Sequence, residues 1–226
     1  RVVSCYEAGR DGFWLHRALL VSGVTNVVVD AASIEVPRRA RRAKTDRLDA
    51  RKLVTMLVRY IEGERPVWHV VHVPSEADED RRHLERERET LVADETGLVN
   101  RIQGLLATQG VRLALRGDVP AQLAAVRRWD GTPLPPELRA RLEREWRRVE
   151  AVRTALRALT TARHRRVTTP TPPAADAAAV HLTRRLAALG AVGETTAWLL
   201  ATEMFSWREF RNRRQVGGFV GLTGTP

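Results

Sequence analysis

Apolar positions follow two different periods along the chain, and the change falls near residue 75. Val2 to Tyr6 is a short run of β-branched and aromatic residues, Gly9 to Gly12 punctuates it, and a helical stretch from Phe13 to Val21 ends at Ser22-Gly23. Val27-Val28-Val29 then reads as a second, buried strand. A strand, a helix and a strand joined by short connections predict a right-handed parallel unit of the α/β kind. Pro37 opens the basic loop Arg38-Arg39-Ala40-Arg41-Arg42-Ala43-Lys44, and Thr45 is placed to cap a helix from Asp46 to Tyr60. Val67 to Val73 reads as one more strand, closed by Pro74, so residues 1–74 form the predicted α/β domain.

After Ser75 the period lengthens to that of helices. Leu84, Leu91, Leu98 and Leu105 recur every seventh residue, with Val92, Val99 and Leu106 beside them, which makes one apolar stripe on a long helix. Leu142, Val149 and Leu156, flanked by Leu138, Val152 and Leu159, mark a second long helix from Pro136 to Arg165. The segment between, which includes Trp129-Asp130-Gly131-Thr132-Pro133, is rich in turn formers. Residues 75–166 are therefore expected to form an antiparallel helical hairpin, or a coiled coil that pairs with a second copy of the chain. Val167-Thr168-Thr169-Pro170-Thr171-Pro172-Pro173 reads as a stiff linker, with the linker region extending over 167–176. In the last region, 177–226, helices from Ala174 to Leu189 and from Thr195 to Met204 are joined by Gly190-Ala191-Val192-Gly193. A basic tail follows, with Arg208, Arg211, Arg213 and Arg214.

Charge adds a partner to this outline. The 226 residues carry 38 Lys and Arg against 27 Asp and Glu, a net charge of +11, and the excess is arginine, whose planar fork suits phosphate. A polyanion is the expected partner. The single cysteine, Cys5, rules out an internal disulfide framework and fits a reducing compartment. No apolar run reaches the length of a membrane span and no signal-peptide pattern opens the chain, so a cytoplasmic, non-membrane protein is expected.

The candidate chemistry is acidic. Glu7 follows the first strand, while Asp46 and Asp49 stand three apart on a helix and so share a face. Carboxylates converging from a strand end and a helix supply the hard oxygen ligands that Mg2+ requires in phosphodiester cleavage. The adjacent basic loop would hold phosphate beside them through Arg38, Arg39, Arg41, Arg42 and Lys44. Two aspartates three apart on a helix are usually a solvated face, and it is the adjoining basic loop that raises the metal reading. His69 and His72 fall on a strand-like run, where a spacing of three puts them on opposite sides, which argues against a zinc pair. Cys5 reads as core, as do Trp198, Phe205 and Trp207 by their spacing, with stacking on a base as the other reading of the three aromatics. Gly217-Gly218 is too short for a phosphate loop.

Two stretches together resemble a known family. Tyr6-Glu7-Ala8-Gly9, the strand Val27 to Val29, and Lys44-Thr45-Asp46-Arg47-Leu48-Asp49-Ala50 are similar to the amino-terminal domain of the insertion-sequence one-ten transposases. Leu189-Gly190-Ala191-Val192-Gly193, Phe210, Gln215 and Phe219-Val220-Gly221-Leu222-Thr223 resemble that family's carboxy-terminal transposase domain. The resemblance implies a RuvC-like (RNase H-like) domain with an Asp-Glu-Asp-Asp set, in which Glu7, Asp46 and Asp49 are three of four metal-binding acids and Mg2+ is the cofactor. It also implies transposition of an insertion sequence by DNA cleavage and strand transfer, directed by a structured guide RNA. The family's first Asp would lie upstream of Arg1 and its nucleophilic serine beyond Pro226, so the chain is expected to be cut at both ends and inactive by itself. Gly190 and Gly193 resemble a helix-hairpin-helix turn, whose backbone N–H groups hold a phosphate without reading sequence. The family more often has proline where Leu189 stands. An ordinary helix connection is the other reading of that turn. Two further functions fit the same residues: a Holliday-junction resolvase, which would not need residues 190–223, and a non-catalytic DNA- or RNA-binding protein, in which the arginines act and the acids do not.

Overall fold

The computed structural model describes residues 2–34 and 46–222, for residues 46–48 the backbone alone. The chain divides into two compact units, Arg1–Pro74 and Ser75–Pro226.

The first unit is α/β. Strand β1 (Val3–Glu7), helix α1 (Trp14–Val21), strand β2 (Thr25–Val29) and helix α2 (Asp46–Ile61) follow in order. The two strands pair in parallel, from Val3 opposite Thr25 to Glu7 opposite Val29, with α1 as the crossover. One sheet face, formed by Val3, Cys5, Val27 and Val29, is covered by Leu53, Met56, Leu57 and Tyr60 of α2, with Val67 and Trp68 completing the core. The other face carries Asn26, whose buried amide is satisfied at both ends: Ser4 Oγ donates to its Oδ1 at 2.8 Å and its Nδ2 lies 2.9 Å from His16 Nδ1. The third strand expected over Val67 to Val73 does not form. Pro66 lies in a 3-10 turn over Arg65–Val67, and Val67 and Trp68 are buried as consecutive residues instead of alternating. The chain becomes strand-like only beyond them. An isolated antiparallel bridge links Val70 to Val29, with Asp30 N donating to His69 O and Val71 N to Val28 O.

The second unit is helical. Helix α3 (Glu76–Ala107) starts at Ser75, whose hydroxyl accepts the Asp78 N–H, and Glu76, Asp78 and Glu79 in its first turn complement the helix dipole. Helix α5 (Pro136–Thr168) runs antiparallel to it. The pairs Arg101–Glu145, Glu95–Arg153 and Glu85–Arg163 step down one helix while they step up the other. Burial along this hairpin concentrates at its ends. Near the tip, Ile102 and Leu106 pack with Leu142, Trp146 and Val149 beneath the connecting segment, where helix α4 (Val119–Ala125) contributes Val119 and Leu123. Midway, the sequence stripe is only half-buried at Leu91 and Leu98, and Val92 is exposed.

The proline segment is a packed corner and not a spacer. Helix α5 continues to Thr168, and Val167 is buried against Val180 of helix α6 (Ala174–Ala187) and Trp198 of helix α7 (Glu194–Leu199). Arg184 donates from Nε to Val167 O at 2.7 Å and from Nη2 to Thr169 O, which satisfies carbonyls at the end of α5. The last region therefore belongs to the same compact unit as the hairpin. Helix α7 widens into a π-helix over Leu200–Phe205, and helix α8 (Arg213–Phe219) follows. These elements bury charge that a heptad pattern leaves on the surface. Glu85 is 1% exposed and Arg163 4% exposed, joined to Arg88 and Glu194, while Arg82 binds Glu203 of the π-helix at 2.6 Å.

Candidate acidic site and nucleic-acid surfaces

The acids continue the two faces that form the core of the first unit. Side chains alternate along a strand, so Val3, Cys5 and Glu7 share the face of β1 that meets α2. On α2, Leu53, Met56, Leu57 and Tyr60 form the inward stripe, and Asp49 precedes Leu53 by four residues, on that same stripe. The two stripes meet where Cys5 Sγ donates to Leu53 O at 3.8 Å. One step beyond this contact, about 6 Å along each element, the apolar residues give way to Glu7 and Asp49. Both are exposed, and neither forms an ion pair with another described residue. The Asp46 side chain lies outside the described residues, as do Arg38, Arg39, Arg41, Arg42 and Lys44 with their loop and the cap expected at Thr45. Among the described residues, no three His, Cys, Asp or Glu side chains gather closely enough to hold a metal ion; Asp46 would have to be the third.

Burial of Cys5 raises its thiol above the usual range. Its thiolate is therefore scarcer at neutral pH than that of a free cysteine, and its access is restricted. Labelling with a thiol reagent is expected to be slow in the folded protein and to accelerate severalfold in urea; equal rates would place Cys5 outside the core. One acid went unnoticed in the sequence, Asp30, directly after β2. It faces away from Glu7, because Glu7 pairs with Val29 and alternation turns the next residue over. Its Oδ1 accepts the Ala32 N–H at 3.1 Å, so it caps the turn Ala31–Ser33 and does not join the acid face.

In the second unit, residues 188–193 turn between α6 and α7. Val192 N donates to Leu189 O at 3.0 Å, and Gly193 caps α7. A Cβ added to Gly190 or Gly193 would meet nothing within 4 Å, and neither glycine has a positive φ. The fold itself thus does not require glycine at either position, and both backbones face open space. The next residue, Glu194, is drawn toward α5, with Arg163 Nε at 3.4 Å and His164 Nδ1 at 2.8 Å. In the tail, Arg211, Arg213 and Arg214 are exposed, and Asn212 caps α8 by accepting the N–H groups of Arg214 and Gln215. Trp198 and Trp207 are buried, as their spacing suggested, but Phe205 is 39% exposed and packs edge-on against Phe210 instead of entering the core; Arg208 stacks 4.0 Å from the Trp207 ring and 4.4 Å from that of Phe219. Glu7 and Asp49 belong to the first unit, and Gly190 and Gly193 to the second. Among the described residues, no helix is long and apolar enough to cross a membrane.

No family model matches the chain. A search among known proteins finds similarity to "Putative transposase y4rJ" of Sinorhizobium fredii, with 40% identity over 229 residues and 97% of this chain aligned. The chain spans 56% of that relative's length.

Proposed function

We propose that the chain is part of a DNA transposase: an acidic, RuvC-like nuclease unit joined to a helical unit that holds nucleic acid, acting in the cytoplasm on an insertion sequence. The observation that carries this reading is the 40% identity, along nearly the whole chain, to a protein named as a transposase. The meeting of the two acid-bearing faces at Cys5 and Leu53 agrees with it. Glu7, Asp46 and Asp49 would hold Mg2+, a hard cation suited by carboxylate oxygen, and the bound ion would supply Lewis acidity to a phosphodiester. The protein's own part is to keep two of these acids solvent-facing, with no ion pair among the described residues, on apolar stripes that pack against each other. Arg38, Arg39, Arg41, Arg42 and Lys44 would neutralise phosphates near the acids. Gly190, Gly193, Arg211, Arg213 and Arg214 would hold backbone phosphates without reading sequence. A structured guide RNA is the proposed second nucleic acid. The half-buried Leu91 and Leu98 and the exposed Val92 favour pairing with a second copy of the chain.

Binding to duplex DNA tests the electrostatic half of this reading. The logarithm of affinity should fall by about 0.9 per log unit of salt for each phosphate contacted. Replacing Arg38, Arg39, Arg41 and Arg42 together with alanine should flatten the slope by up to about 3–4 of those units. An unchanged slope would remove the loop from the interface. The resolvase alternative leaves residues 190–223 without a task, and the purely binding alternative predicts no effect of metal on the acids.

A further inference from the structure

The tip of the helical hairpin carries a feature that the acidic site and the glycine turn do not use. Trp129 is 75% exposed, more than any other tryptophan among the described residues, yet its backbone is held on all sides. Arg128 N donates to Thr132 O and Gly131 N to Arg128 O, with Gly131 at φ +79°, and Arg127 bridges to Pro133. Asp130 Oδ1 accepts from both the N–H and the hydroxyl of Thr132, at 3.0 and 2.6 Å. Trp129 N donates to Gln109 O at 3.0 Å, which ties the turn to the end of α3. Gly110 fits beneath it at φ +70°, where an added Cβ would come within 2.9 Å of Trp129 Cβ. A large aromatic ring is thus displayed on a rigid turn, so that ordering it would cost little on binding.

The segment between α3 and α5 that carries this ring has four arginines, Arg112, Arg116, Arg127 and Arg128, against two acids, Asp118 and Asp130. Arg127 stands two residues before Trp129, and Arg112 two residues beyond the glycine that touches it; Arg116 follows in the same loop. All three are exposed and form no ion pair among the described residues. The two acids of the tip are engaged elsewhere: Asp118 caps α4 through the Ala121 N–H, and Asp130 holds Thr132 and lies 3.9 Å from Arg128. A stacking ring flanked by free guanidiniums has the chemistry that receives an unpaired base and its neighbouring phosphates.

We infer that Trp129 stacks on an unpaired nucleobase, with Arg112, Arg116 and Arg127 on the adjoining phosphates, making the hairpin tip a single-strand contact. This inference rests on the nucleic-acid reading above and adds to it a second contact point. The tip lies at the opposite end of the hairpin from the glycine turn: Glu194, next to that turn, meets Arg163 and through it Glu85, and α3 rises roughly 33 Å from Glu85 to Ala107. The base could belong to displaced DNA or to RNA, which share this chemistry.

The test is fluorescence anisotropy of labelled 20-nucleotide oligothymidine DNA, oligouridine RNA and a mixed-sequence duplex, with the wild-type chain and with Trp129→Ala and Trp129→Phe. Removing the ring should weaken binding to one or both single strands by about tenfold or more. Phenylalanine should restore most of the loss, and the duplex should change by less than about twofold. Equal urea midpoints check that the exposed substitution leaves the fold intact. Wild-type binding to single strands with no loss in Trp129→Ala overturns the inference and leaves the nucleic-acid reading standing; a wild-type chain that binds none of the three overturns both. A Trp129→Ala chain that binds normally but no longer self-associates in sedimentation also overturns the inference, and assigns the ring to a contact between copies.

Discussion

Replacing Glu85 with alanine is expected to lower the stability of the helical unit by about 3–5 kcal/mol, the effect of removing one partner from a buried ion pair. The mechanism is the stranding of a cation. Arg163 is 4% exposed, and its Nη1 has Glu85 Oε2 at 3.6 Å as its counter-ion on α3, leaving only Glu194 at 3.4 Å from Nε. Arg88 loses its 2.5 Å contact with Glu85 at the same time. Removing both buried charges together, in Glu85→Leu with Arg163→Met, is expected to recover most of the loss, because apolar pairs of similar volume often replace buried ion pairs at little net cost. Urea unfolding followed by circular dichroism measures both variants. A single substitution within about 0.5 kcal/mol of wild type, the range of ordinary surface changes, would mean that the pair is hydrated in solution.

That buried pair also marks where sequence reasoning reached its limit. The positions of α3 and α5 were legible because an apolar residue every seventh position leaves little else possible, and the antiparallel pairing of Glu95 with Arg153 agrees with it. Which polar residues would be covered was not legible. Arg81, Arg82, Glu85 and Arg163 look like solvated helix positions until α6, α7 and the π-helix fold back over that end of the hairpin. The same contacts convert the proline segment from the expected linker into a corner, since Val167 packs on residues 13 and 31 positions further along the chain, Val180 and Trp198. The run from Val67 to Val73 misled for a local reason: its β-branched composition suggested a strand, but Pro66 and the side-by-side burial of Val67 and Trp68 spend its first residues on a turn. Helices α4 and α8 have seven residues each, too few for a period to show.

For the acidic site, the sequence named the residue types and the helix face, and the structure adds what no spacing could give, the contact of that face with β1 through Cys5 and Leu53. The tip tryptophan was readable only as part of a turn. What ties its turn to the end of α3 is the contact of Trp129 with Gln109 and Gly110, about twenty residues earlier in the chain.

The central claim is that Glu7, Asp46 and Asp49 hold a divalent cation, and the most direct measurement is a Mn2+ titration of the chain followed by the electron paramagnetic resonance of the free ion. Each lost carboxylate removes one oxygen ligand and one negative charge from a small ligand set. Glu7→Gln and Asp49→Asn are each expected to weaken binding at least about tenfold, with Mg2+ competing for the same site and the triple variant Glu7→Gln, Asp46→Asn, Asp49→Asn showing none. Both single substitutions fall on exposed residues without ion pairs among the described residues, so the urea midpoint should stay within about 0.5 kcal/mol of wild type. A wild-type chain that takes up Mn2+ no better than the triple variant would contradict the account and leave the arginines, not the acids, as the functional part of the molecule.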